Sequence, residues 1–181
     1  QPAYTISFLN GIPSVNPNSY KSKDLSVATM NNVQLTAISG PNGGMTGIDT
    51  MTSGGVTLYY GGKPGVPTGK EWTIDVHEKG PVTYNSKSDW HTLVRGSQSD
   101  HQMIFHDSAY NKKVGAYLNK QGGFKEWGFT IEELFGDNSW KRLTIVTKGG
   151  KTTIYIDGVY KSESLFASTD FNIFYIGAFN K

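Results

Sequence analysis

Between Trp90 and Trp127 the sequence gathers the side chains best suited to chemistry: Trp90, His91, Arg95, Asp100, His101, Gln102, Tyr110, Asn111, Tyr117, Asn119 and Trp127. Mixtures of this kind recognise sugars. A flat aromatic ring packs on the apolar C–H face of a pyranose, while amide, carboxylate and guanidinium groups hydrogen-bond its hydroxyls. Within the group Arg95, His101 and Trp127 stand out, with Trp90, Asp100, Tyr117 and Asn119 beside them. Trp127 lies in Gly122-Gly123-Phe124-Lys125-Glu126-Trp127-Gly128, where glycines on both sides predict a loop and hence an exposed ring. The same aromatics suit a β-sandwich interior, so Trp90, Tyr117 and Trp140 equally read as core.

Other chemistry is thinner. Asp75 and Glu78 form a carboxylate pair, but three residues apart on an extended strand they point to opposite faces. A retaining glycosidase needs its two carboxyls about 5 Å apart on one face. No catalytic residue is assigned on this basis. His101 and His106 flank a short predicted strand, and their spacing also sends them to opposite faces, which disfavours a shared transition metal. Asp100, Asp107 and Asp137 are loop carboxylates that could hold Ca²⁺, a hard cation that takes oxygen ligands, yet none shows EF-hand spacing. The sequence contains no G-x-S-x-G elbow, Walker A loop or dinucleotide fingerprint.

These residues must be positioned by strands. The chain has 181 residues, enough for one sizeable core, and its 22 glycines are spread along it, which favours many short strands and turns. Cysteine is absent, so neither disulfides nor thiolates contribute. A net charge of +2 with scattered Lys and Arg argues against a nucleic-acid partner. No apolar run approaches the roughly 20 residues of a membrane-spanning helix, so membrane insertion is not expected.

Alternating patterns predict strands near residues 4–8, 24–28, 33–38, 55–60, 71–78, 90–95, 102–106, 114–118, 140–148, 152–156, 159–161 and 171–176. Gly149-Gly150 and Asp157-Gly158 read as hairpin turns, and only residues 130–135 look helical, for about one turn. Strands without intervening helices imply an antiparallel sandwich or barrel.

Three stretches carry a family likeness. They are Trp72-Thr73-Ile74-Asp75-Val76-His77 followed by Trp90 to Gly96, then Lys113-Val114-Gly115-Ala116-Tyr117-Leu118, then Trp140 to Val146 with Thr152-Thr153-Ile154-Tyr155-Ile156-Asp157-Gly158 and a closing Tyr175-Ile176-Gly177. Together they resemble the laminin-G/pentraxin/concanavalin A-like lectin–glucanase superfamily over residues 46–181. The resemblance implies one all-β domain, an antiparallel β-sandwich of the concanavalin A-like jelly-roll type. Residues 1–45 read either as its first strands or as a lead-in extension.

The expected function is a lectin-like, non-catalytic module for carbohydrate or surface recognition, in a secreted, cell-surface or virion protein. Its expected partner is a glycan such as a cell-surface carbohydrate, with other protein subunits and Ca²⁺ as further candidates. Two rivals stand beside it. One is a structural or protein–protein interaction domain, such as a virion decoration or fibre module; the other is a divergent glycoside hydrolase or polysaccharide lyase.

Overall fold

The computed structural model describes residues 2–50, 54–80, 89–96 and 100–177. The strands are β1 (Ile6–Leu9), β2 (Ile12–Val15), β3 (Leu25–Thr29), β4 (Thr36–Ile38), β5 (Gly47–Asp49), β6 (Val56–Tyr60), β7 (Lys63–Pro64), β8 (Val66–Pro67), β9 (Trp72–Glu78), β10 (Trp90–Gly96), β11 (His101–His106), β12 (Lys113–Leu118), β13 (Gly123–Thr130), β14 (Lys141–Lys148), β15 (Lys151–Ile156), β16 (Val159–Ser164) and β17 (Asn172–Ile176). A short α-helix, α1 (Ile131–Phe135), is held at its start by a capping box between Thr130 and Glu133.

The chain is an all-β antiparallel sandwich. The larger sheet runs β13-β12-β11-β10-β17-β6-β3, with β7 and β8 added to β6 and β17; the smaller runs β16-β15-β14-β9. Alternation along β9 turns Trp72, Ile74 and Val76 inward, and Leu143 and Ile145 on β14 lie opposite Val76 and Ile74. Across the gap stand Val94, Met103, Phe105, Val114, Ala116 and Leu118 of the larger sheet, so one apolar layer joins the two. Two tight turns build the smaller sheet. Gly149-Gly150 and Asp157-Gly158 all have positive φ, which matches the twist of the two-residue hairpins they close.

The first 45 residues contribute β3, which pairs with β6 at the edge of the larger sheet. The hairpins β1–β2 and β4–β5 lie over a second apolar cluster of Leu25, Leu35, Val56, Leu58 and Val66, where Tyr4, Ile6, Phe8 and Ile48 pack.

One expectation is corrected. Residues 123–130 are not a loop but the edge strand β13, and Trp127 is 2% exposed in the core beside Phe129. Gly128, at φ +94, bends the strand without ending it.

Candidate functional site

The inner face of the larger sheet is covered by the core, which leaves its other face open. Strand register assembles one transverse row on that face. Tyr175 of β17 is the partner of Arg95 on β10, Arg95 of His101 on β11, His101 of Tyr117 on β12, and Tyr117 of Phe124 on β13. With strands about 4.8 Å apart, the five residues span roughly 19 Å.

An irregularity in β11 makes the row. The register against β12 shifts between Gln102 and Ile104, and Met103 between them has φ +52. This bulge lets two successive residues face inward: Met103 joins the core, and Gln102 stands opposite the core residues Val94 and Ala116. It also returns His106 to the face of His101, which corrects the expectation of opposite faces. A run of ring contacts connects the two histidines, from His101 to Tyr117 (6.2 Å between centroids), Tyr117 to Trp90 (6.1 Å) and Trp90 to His106 (5.0 Å).

Electrostatics along the row are set by burial. His101 is 3% exposed and its Nδ1 is enclosed with no hydrogen-bond partner. Burial, aided by the positive charge of Arg95 and opposed by Asp100, pushes its pKa down to about 4, so the imidazole is neutral at ordinary pH. The Arg95 guanidinium lies half-buried, 5.9 Å from the centre of the Tyr175 ring, and places a cation in the row.

Asp100 braces this end of the site. Its Oδ1 accepts the Asn119 N–H (2.9 Å), its Oδ2 accepts the Ser168 hydroxyl (2.6 Å), and its carbonyl accepts the Gly96 N–H (2.8 Å). Asn119 thus enters through its backbone. The Ser168 carbonyl in turn accepts the Trp72 indole N–H (2.9 Å), tying the loop before β17 to the smaller sheet.

Beside the row Trp90, Tyr110 and Phe124 pack as rings 5.0–5.4 Å apart. His91 points away from them and stacks on Phe105 at 5.0 Å. Trp127 and Gln102 lie in the core, away from the open face. Sequence reasoning missed Tyr175 and Phe124. The strand pattern of residues 172–176 held the signal for Tyr175; for Phe124 the surrounding glycines hid it.

The carboxylates considered for calcium are used locally. Asp107 Oδ1 accepts the Asp89 N–H at the far end of β11 from Asp100, and Asp137 binds Ser139 and Lys141 beyond α1. Among the described residues no group of three or more His, Asp or Glu could hold a metal. Asp75 and Glu78 are on the smaller sheet. Arg142 grips Asp75 through Nε (3.0 Å), holding its carboxyl below the usual range. Glu78 has one carboxyl oxygen fully enclosed, and burial pushes its pKa up to about 8.

Chemically, the row offers a cation for a carboxylate, a neutral imidazole that can accept a proton and a phenol that can donate one. No helix among the described residues is long and apolar enough to cross a membrane. No family model matches the chain, and no curated protein does. Among solved structures, the alginate lyase from Corynebacterium sp. aligns over 97% of this chain and 82% of that one, at 15% identity and a TM-score of 0.46. The expectation of a non-catalytic module stands against that comparison, whose matched protein is an enzyme.

Proposed function

We propose that the open face of the larger sheet binds an acidic polysaccharide and cleaves it by β-elimination, as a polysaccharide lyase does. The observation that carries this reading is the placement of Arg95, His101 and Tyr117 as direct neighbours on three adjacent strands. A uronate has a weakly acidic proton on C5, next to its carboxylate. Arg95 pairs with the carboxylate and offsets the charge that builds up as the proton leaves. His101, neutral and so able to act as a base, takes the C5 proton. The C5–H electrons form the C4=C5 double bond, the C4–O bond breaks, and Tyr117 protonates the departing oxygen. The products are a new chain end and a 4,5-unsaturated uronate, with no water consumed.

Asp100 acts as a positioning residue, fixing the start of β11 through its bonds to Asn119, Ser168 and Gly96, and Trp90 walls the groove. In this reading the first 45 residues belong to the same unit, supported by β3 in the larger sheet, and the protein works outside the cell, where such polymers lie.

The test is incubation with alginate, polygalacturonate and hyaluronan, read by the ultraviolet absorbance of the unsaturated product. Product from at least one polymer, lost in His101→Asn and Tyr117→Phe, is the expected result. A folded wild-type protein that releases none from any of the three overturns the proposal.

A further inference from the structure

Tyr110 sits in an unusual backbone. It and the next two residues, Asn111 and Lys112, have φ of +54, +50 and +55, three consecutive non-glycine residues in the left-handed region. That region is costly for a bulky aromatic and persists only where surrounding structure enforces it. Enforcement is visible here. The His106 Nδ1 accepts the N–H groups of Ser108 (3.2 Å) and Ala109 (2.9 Å), and Lys112 is pinned to Glu132 at 2.7 Å.

The turn produces a supported but uncovered ring. The Tyr110 ring lies 5.0 Å from Phe124 and 5.4 Å from Trp90, yet the residue remains 56% exposed. Tyrosines buried for stability alone are covered; this one is backed by two rings and faces solvent. The patch is continuous with the transverse row, since Phe124 ends that row and Tyr117 contacts Trp90.

We infer that Tyr110 is a stacking subsite for a pyranose ring of the saccharide bound along the row, at its Phe124 end, where Phe124 lies two strand spacings (roughly 10 Å) from His101. The inference rests on the open face being a saccharide groove and adds a length requirement. A ligand must extend past Tyr117 to reach the ring, so short oligomers do not benefit from it. The face of a sugar suits the ring because its axial C–H groups meet the negative π-cloud, while its hydroxyls stay in water.

The experiment titrates mannuronate oligomers of two to six units against the His101→Asn protein by calorimetry. It then repeats the titration with Tyr110→Asn and with Tyr110→Trp added. Asn tolerates the left-handed backbone and removes the ring; Trp keeps an aromatic face. The expected result is affinity that rises with length, falls about tenfold in Tyr110→Asn for the longer oligomers only, and returns in Tyr110→Trp. Equal affinity of Tyr110→Asn and its parent at every length overturns the inference, as does failure of every oligomer to bind. Polymer elimination by wild type separates the two readings. Product formation with no effect of Tyr110→Asn on KM removes the subsite alone. Length-dependent binding without any product removes the lyase and leaves the subsite standing.

Discussion

His101 stands directly across from Arg95 on the β10–β11 pair, one residue before the bulge at Gln102–Met103. A nearly enclosed imidazole beside a guanidinium stays neutral down to a lower pH than a free one, and this bears on stability as well as chemistry. Its folded pKa, about 4, lies below the 6.5 of an unfolded histidine, so the unfolded chain binds more protons between those values. The contribution of His101 to stability therefore climbs as pH rises from about 4 to 6.5 and is flat above. We expect a gain on the order of 2 kcal/mol from this residue across that window. Urea melts at pH 4.5 and 7 check it: His101→Asn should lose that share of the difference.

Replacing Arg95 should separate binding from folding. Its guanidinium is half-buried and forms no ion pair with a carboxylate among the described residues, so Arg95→Ala should leave the melting temperature nearly unchanged. Loss of a charge-assisted contact to a uronate is worth about 1.5–3 kcal/mol, a rise in KM of roughly tenfold to a hundredfold. Steady-state kinetics on the best polymer, with Arg95→Lys as the partial case, make the measurement.

The Asp100–Ser168 hydrogen bond ties the start of β11 to the loop before β17. Ser168→Ala leaves one carboxylate oxygen of Asp100 without that partner, and we expect a loss of about 1–3 kcal/mol. Asp100→Ala, which also frees the Asn119 N–H, should cost more. Chemical denaturation of both variants ranks them; the reverse order would show that the Asn119 bond contributes little.

Trp127, fully packed beside Phe129, should behave as core. Trp127→Ala is expected to cost about 3–5 kcal/mol, and Trp127→Phe considerably less, by urea denaturation. A near-neutral Trp127→Ala would place the ring outside the core.

The sandwich was largely legible in sequence because its signals are local. The alternation of Trp72, Ile74 and Val76 and the two glycine turns of the smaller sheet each declare themselves within a few residues. What escaped depends on partners far along the chain. Gly122, Gly123 and Gly128 look like loop residues, yet β13 is a strand because β12 supplies its hydrogen bonds. The strands β2, β5, β7 and β8, each four residues or fewer, are likewise defined by pairing more than by pattern. The site was half legible. Arg95, His101, Tyr117 and Trp90 share the open face, but simple alternation sends His101 and His106 apart. Only the bulge at Met103, with its positive φ, reunites them, and no residue type there announces it.

The position of β17 sets a timetable for the nascent chain. Residues 172–176 are made after every other described strand of the larger sheet, yet they lie mid-sheet, between β10 and β6. Until they leave the ribosome, the sheet exists as two halves, each with a raw edge open to stray pairing. Assembly of the groove must then wait for the closing insertion of a late strand, a non-local step that favours slow folding and exposes the intermediate to aggregation.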